Sequence, residues 1–187
     1  MNLETCGIDI AEEAARIAHD VSPHSDIIVG RGEELPFADE SFDLVVCLGA
    51  LEHFLDMAKA TEEMKRVGSA DARYCIVVPN INFIFWRMRC KPGTEQREIK
   101  ESILTFAQWK RILSGGGLQV RMVFPDRWRW ATGPFRRSLI TITDFIMTMI
   151  WMTLPIRWTY QFVLICQKDK MASKLRSHNR HGMKGLR

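Results

Sequence analysis

The chain has 187 residues, of which 47% are hydrophobic and 26% are charged, and its net charge is +4. A chain of this length and composition can bury a core as one domain, which excludes an intrinsically disordered protein. Basic residues are concentrated near the C-terminus. We therefore expect residues 1–168 to form the domain and residues 169–187 to form a basic, flexible tail.

The five cysteines predict reduced, structural thiols. No two of them form a CxxC pair and no histidine stands at metal-ligand spacing to them, so we expect no metal site. Four lie in strand-like apolar runs, where a free cysteine behaves as a small hydrophobic side chain. The first ten residues lack the pattern of a signal peptide, so we expect a protein of the reducing cytoplasm.

Apolar runs and turn residues predict strands that alternate with helices. In chain order, the strands are expected over residues 3–9, 26–30, 42–48, 73–79, 118–124 and 157–168. The helices are expected over residues 11–18, 58–67 and 106–113, and the glycines at 115–117 end the last one.

This alternation predicts an α/β fold with a mostly parallel, doubly wound sheet. The continuous apolar run over residues 42–48 predicts a strand that is buried on both faces. In the helix over residues 58–67, Glu62 precedes Arg66 by four residues, which is the spacing of a helical ion pair.

Several short motifs follow one another in a familiar order. They are "GIDI" at the end of the first predicted strand, then "GRGEELPF", "SFDLVVCLGALEHF" and "VPN". This order resembles the class I S-adenosylmethionine-dependent methyltransferases of the type 11 group, closely over residues 6–80 and loosely over 101–168. The resemblance implies a Rossmann-like sheet with an antiparallel C-terminal strand, and S-adenosylmethionine as the cofactor.

The resemblance implies that Asp9 binds the ribose of the cofactor and that Ile10 packs on the adenine. A carboxylate at the carboxyl end of a strand in an open α/β sheet faces the ligand crevice and can accept two hydrogen bonds from a diol. The alternative is that Asp9 only caps the following helix. Gly32 and Glu33 are implied on the adenine side, where Arg31 replaces the Asp typical of the family and cannot accept a hydrogen bond.

Cys47, Leu48 and Gly49 stand where the chain leaves the third predicted strand, and the resemblance implies that they lie beside the methionine part of the cofactor. His53 is the catalytic candidate, because histidine titrates near neutral pH and could deprotonate an acceptor hydroxyl. The alternative is that His53 only shapes the pocket wall, since methyl transfer to a good nucleophile needs mainly alignment.

The sequence lacks the first strand of this family and the glycine-rich loop that follows it. That loop meets the cofactor with bare backbone, which is why it needs glycine. The strand lies centrally in the family's sheet, so its loss leaves neighbouring strands without hydrogen-bond partners. We therefore expect an N-terminally truncated domain that binds the cofactor weakly.

The segment over residues 121–157 departs from the family pattern, and we expect a lid or a membrane-facing insertion there. A helix over residues 139–154 would carry one polar stripe on an otherwise apolar surface. Tryptophans and arginines flank this helix, a composition typical of a membrane interface.

The sequence thus predicts methyl transfer to a small acceptor that is apolar or lipid-linked. The alternative is a catalytically inactive methyltransferase remnant that binds a partner or a membrane. A nicotinamide-dependent oxidoreductase also places an acid after its second strand, but the motifs around residues 35–53 speak against it. We find no specific nucleic-acid signal, and we expect a cytoplasmic protein with peripheral membrane contact through residues 121–157.

Overall fold

The computed structural model describes residues 3–84, 86, 101–126, 153 and 155–169. The strands are β1 (Cys6–Asp9), β2 (Asp26–Val29), β3 (Phe42–Leu48), β4 (Gly68–Pro79), β5 (Leu118–Pro125) and β6 (Gln161–Lys168). The helices are α1 (Glu12–Val21), α2 (Met57–Val67) and α3 (Phe106–Gly115), with short 3-10 helices at Leu51–His53 and Ile156–Trp158. Each strand and helix predicted within these residues is present, most with bounds shifted by a few residues.

The described strands form two sheets. β1 pairs in parallel with β2, and the second sheet has the order β3–β4–β6–β5. In that sheet β3 and β4 are parallel, whereas β6 runs antiparallel to both β4 and β5. The predicted α/β, Rossmann-like fold with an antiparallel C-terminal strand is confirmed, with mixed parallel and antiparallel pairing.

The core lies where α2 and α3 pack on the second sheet. α3 begins with a capping box, in which the side chains of Thr105 and Gln108 each accept a hydrogen bond from the other residue's backbone amide. Trp109 and Leu113 follow at a spacing of four residues, and both are fully buried. They pack in one cluster with side chains from β4 and β6, among them Tyr74, Ile76 and Leu164.

The prediction that β3 is buried on both faces is wrong for the described part of the chain. Leu44, Val46 and Leu48 remain 58%, 51% and 62% exposed. β3 pairs only with β4 among the described strands, so one edge stays open and these side chains have little to pack against. The thiol of Cys6 on β1 is likewise exposed, unlike those of Cys47 and Cys166.

Arg66 on α2 forms its ion pairs with acids other than the predicted Glu62. Its guanidinium lies 2.8 Å from a carboxylate oxygen of Glu63 and 2.8 Å from one of Asp39. It also donates to the carbonyls of Leu35 and Phe37. Asp39, Leu35 and Phe37 lie in the loop after β2, so Arg66 attaches that loop to α2.

No helix within the described ranges is long and apolar enough to cross a membrane. The predicted apolar helix over residues 139–154 and the predicted basic tail over 169–187 lie almost wholly outside the described residues. Residues 121–125, which we had assigned to the insertion, belong to β5.

Candidate functional site

Two pairs of parallel strands, β1–β2 and β3–β4, bring predicted site residues to the carboxyl edges of the two sheets. The Asp9 carbonyl at the end of β1 accepts a hydrogen bond from Gly30, just after β2. The amide of Gly49, just after β3, donates to Val77 of β4 at 3.0 Å. Carboxyl edges of parallel strands are the usual ligand sites of open α/β folds.

Asp9 uses one carboxylate oxygen locally. Its Oδ1 accepts a hydrogen bond of 2.8 Å from the amide of Ala11, which supports the turn into α1. No described residue donates to its Oδ2. The capping alternative and the ribose prediction are therefore compatible, because one oxygen caps while the other can accept from a diol. Ile10, beside it, is 71% exposed.

Glu33 is engaged within the protein. Its side chain is buried, and Oε1 accepts hydrogen bonds from the amides of Leu55, at 2.9 Å, and Asp56, at 3.4 Å. Burial alone would raise the pKa of Glu33, but its backbone hydrogen bonds and the Arg31 charge outweigh burial and lower it. Glu33 thus holds the loop against the start of α2. Its predicted contact with a cofactor stays a prediction.

Gly32 is needed for close packing. A Cβ at this position would lie 2.6 Å from the ring of Phe54, closer than side chains pack. The ring of Phe54 occupies the space that a larger residue would fill, so Gly32 brings the loop close to the 3-10 helix.

Gly49 adopts a φ of +63°, a left-handed conformation that favours glycine. Before it, Leu48 is exposed and Cys47 is buried. Burial, reinforced by the nearby Glu52 carboxyl, raises the pKa of the Cys47 thiol to about 12. Cys47 is thus a neutral packing group at neutral pH, whereas Leu48 offers apolar surface beside the glycine.

Two buried polar atoms next to Gly49 have no partner among the described residues. They are Oε2 of Glu52 and Nδ1 of His53, on the 3-10 helix that follows β3. A buried polar atom without a hydrogen bond is costly, which marks this helix as a place where a ligand could supply the missing partner.

Glu52 is a site residue that the sequence reasoning passed over. Glu52 is only 3% exposed, and its backbone carbonyl accepts a hydrogen bond of 2.9 Å from the amide of Ser102. The two residues are far apart in sequence, so nothing local in the motif signalled this contact.

Replacing Glu52 by Gln should raise the thermal stability near neutral pH by a few degrees. Burial raises the pKa of Glu52 in the folded protein, despite opposing contributions from its own amide and His53. A carboxyl group whose pKa is raised by folding stabilises the folded protein at pH values below its unfolded-state pKa. This stabilisation is lost as the pH rises through the folded-state pKa. The gain from Gln should therefore vanish near about pH 4, the ordinary range of glutamate.

Thermal unfolding of both proteins across this pH range measures the effect. Glu62→Gln is the matched control, because Glu62 is an exposed acid on α2 and its replacement should leave the thermal stability near that of wild type. A Glu52→Gln protein that loses stability at neutral pH would contradict the buried, unpaired carboxyl.

Comparison with known proteins finds similarity to methyltransferases in the N-terminal part of the chain. A family model described as "Methyltransferase domain" matches residues 1–76. The sequence is 34% identical over 79 residues to the uncharacterized methyltransferase YcgJ of Bacillus subtilis. That match covers 40% of this chain and 31% of YcgJ, so the chain spans about a third of this relative.

Solved structures share the fold at low sequence identity. An S-adenosylmethionine-dependent methyltransferase from Mesorhizobium loti superposes with a TM-score of 0.62 at 11% identity, over 88% of this chain and 80% of that one. One from Aquifex aeolicus gives a TM-score of 0.56 at 15% identity, over 87% and 68% of the two chains. These likenesses confirm the fold class.

The cofactor that this domain implies is S-adenosylmethionine, and the described residues fit it chemically. The second oxygen of Asp9 can accept from a ribose. Ile10 and Leu48 present exposed apolar surface at strand ends, and Gly49 has no side chain to occupy the space. His53 adds an unpaired buried nitrogen.

Proposed function

Because residues 1–76 carry a methyltransferase domain, we propose that this chain catalyses methyl transfer from S-adenosylmethionine to a small, apolar or lipid-linked acceptor. One observation carries the proposal. Groups that are free to bind a ligand gather at the carboxyl ends of β1 and β3, and they include both hydrogen-bonding and apolar groups. That combination suits a molecule with a ribose, an adenine and an apolar reacting centre.

S-adenosylmethionine supplies an electrophilic methyl group on a sulfonium. The protein's part is to bind and align. Asp9 accepts hydrogen bonds from the ribose through Oδ2, and Ile10 covers the adenine. Leu48 and Gly49 border the methionine part. His53 either accepts a proton from the acceptor through Nδ1 or shapes the pocket wall.

The apolar or lipid-linked acceptor and the cellular location are part of the same proposal. They rest on the composition of residues 121–157, which is rich in Ile, Met, Phe, Leu and Trp with flanking arginines. We place the protein in the cytoplasm, with peripheral membrane contact through this segment.

Replacing Asp9 by Ala should weaken binding of S-adenosylmethionine by about 1–3 kcal/mol, the scale of a hydrogen bond to a charged group. Titration calorimetry of the folded proteins measures the change. Asp26→Ala is the matched control, because Asp26 is an exposed acid at the opposite, amino end of β2 and should leave the affinity unchanged.

Equal affinities for wild type and Asp9→Ala would remove Asp9 from the site. A folded wild-type chain that binds no S-adenosylmethionine would instead favour a second function, a catalytically inactive module that binds a partner or a membrane. The open edge of β3, with its exposed Leu44 and Val46, favours this second function, since such edges invite pairing.

A further inference from the structure

A cleft lies beside the end of β4, separate from the residues of the candidate site. Asn82, Ile84, Arg157 and Trp158 line it, and it has a volume of about 500 Å³. This is the size of a small-molecule site. β6 is antiparallel to β4, with Pro79 opposite Gln161, so the residues that precede β6 arrive at the same edge as the end of β4.

Asn80 holds the two walls of this cleft together. It is fully buried, and its Nδ2 donates to the carbonyls of Arg157 and Thr159, each at 2.9 Å. Its Oδ1 accepts from the amide of Asn82 at 3.0 Å. One side chain therefore fixes the backbone of a residue on each wall, and the cleft is formed without a ligand.

The cleft combines a cation with apolar surface. The guanidinium of Arg157 lies 4.7 Å from the ring centroid of Trp158, a cation–π contact that holds the charge over the ring. No described carboxylate lies within ion-pair distance of Arg157, although the ion pairs of Arg16 and Arg66 are present elsewhere. The guanidinium therefore keeps its donors for a ligand.

The cleft adjoins the candidate site. Gly49 donates to Val77 of β4, three residues before Asn80, so the ends of β3 and β4 are neighbours. The carboxyl edge that holds the proposed methyl donor therefore continues into the cleft. The strand ends that form the cleft are therefore next to the strand end that carries Gly49.

We propose that this cleft binds the anionic group of the methyl acceptor, with Arg157 as the residue that pairs with the anion. The acceptor class is an apolar body that carries a phosphate or carboxylate. Guanidinium matches either group with two parallel hydrogen bonds, while Trp158 and Ile84 contact the apolar part. The inference rests on the proposed methyl transfer, because only that reaction makes the ligand an acceptor.

Octyl phosphate and octanol are the probes, titrated calorimetrically without S-adenosylmethionine. We expect wild type to bind octyl phosphate more tightly than octanol. Arg157→Gln should weaken octyl phosphate binding by about tenfold or more, as expected when an anion loses a charged partner, and should leave octanol binding unchanged. The octyl phosphate affinity of Arg157→Lys should fall between those of wild type and Arg157→Gln, because lysine keeps the charge but not the paired donors.

Arg111→Gln is the matched control, since Arg111 is exposed on α3 and should not affect either probe. Vesicles that contain phosphatidic acid test the lipid source of the anion. Binding of free octyl phosphate indicates a small acceptor, whereas Arg157-dependent binding only to these vesicles indicates a lipid headgroup. Unchanged binding of both by folded Arg157→Gln would overturn the proposal.

The test of anion binding in the cleft can be distinguished from the test of the proposed methyl transfer. Asp9→Ala should leave octyl phosphate binding unchanged, because Asp9 is on the other sheet. A cleft that binds no anion while Asp9→Ala still weakens cofactor binding would sink only the acceptor inference. If the cleft binds the anion but Asp9→Ala leaves cofactor binding unchanged, the assignment of Asp9 is wrong and the anion site remains.

Discussion

Replacing Asn80 by Ala should lower the free energy of unfolding by about 3–4 kcal/mol, the scale of losing one buried and two part-buried hydrogen bonds. The change removes two donors and one acceptor at a fully buried position. The carbonyls of Arg157 and Thr159 and the amide of Asn82 would each lose this partner. Urea unfolding measures the loss.

Asn80→Asp separates hydrogen bonding from packing, because it keeps the size but replaces the donor nitrogen with oxygen. It should destabilise the protein at neutral pH at least as much as Ala, since a carboxylate oxygen would face two carbonyl oxygens. Gln119→Ala on the exposed face of β5 is the control and should stay within about 0.5 kcal/mol of wild type. Wild-type stability of Asn80→Asp would show that the two donated bonds are not important.

Asn80→Ala should also affect ligand binding in the cleft. Because Asn80 fixes the backbone on both walls, Asn80→Ala should also weaken octyl phosphate binding in the fraction that remains folded. Arg157→Gln should weaken that binding with little loss of stability, since Arg157 is exposed and in no ion pair with a described residue. The two variants therefore distinguish a positioning residue from a binding residue.

Replacing Trp109 by Ala should cost about 3–5 kcal/mol of unfolding free energy, the usual penalty for removing a large buried aromatic side chain. Trp109 is fully buried between α3 and the second sheet, and its indole nitrogen donates to the carbonyl of Pro79 at 2.8 Å. The loss thus combines a cavity with an unpaired carbonyl at the end of β4. Urea unfolding again provides the measurement.

Trp109→Phe keeps most of the apolar volume and removes the donor, so it should cost about 1–3 kcal/mol. It also keeps the test decisive if Trp109→Ala does not fold. Lys110→Ala, one residue on and exposed, is the control and should be near neutral. Equal stability of Trp109→Phe and wild type would mean that the bond to Pro79 contributes nothing.

Local patterns were sufficient to place the strands and helices. β3 was predicted with the bounds that the structure shows, and α2 was displaced by only one residue at its start. Periodicity and end signals act over neighbouring residues, so they are readable in one sequence. The motif order around Asp9 and Gly49 likewise predicted the methyltransferase domain that the family match confirms.

Local sequence patterns did not predict which side chains from distant segments contact each other. Arg66 pairs with Asp39 and donates to the carbonyls of Leu35 and Phe37, because the loop after β2 folds onto α2. Glu52 is buried, and its carbonyl accepts a hydrogen bond from Ser102, about fifty residues further along the chain. Both outcomes depend on how separated segments pack, and charge spacing within one helix carries no information about that.

The sequence by itself determined the α/β class, the succession of elements and the residues that stand at strand ends, because these follow from short-range periodicity and chain order. Only the tertiary structure decided which edges pair, which acids are buried and where clefts form. β3 has the apolar composition of a doubly buried strand, yet its burial depends on neighbours that no local pattern specifies. Asn80 and Arg157 meet across 77 positions of chain, and that contact exists only once β6 has paired with β4.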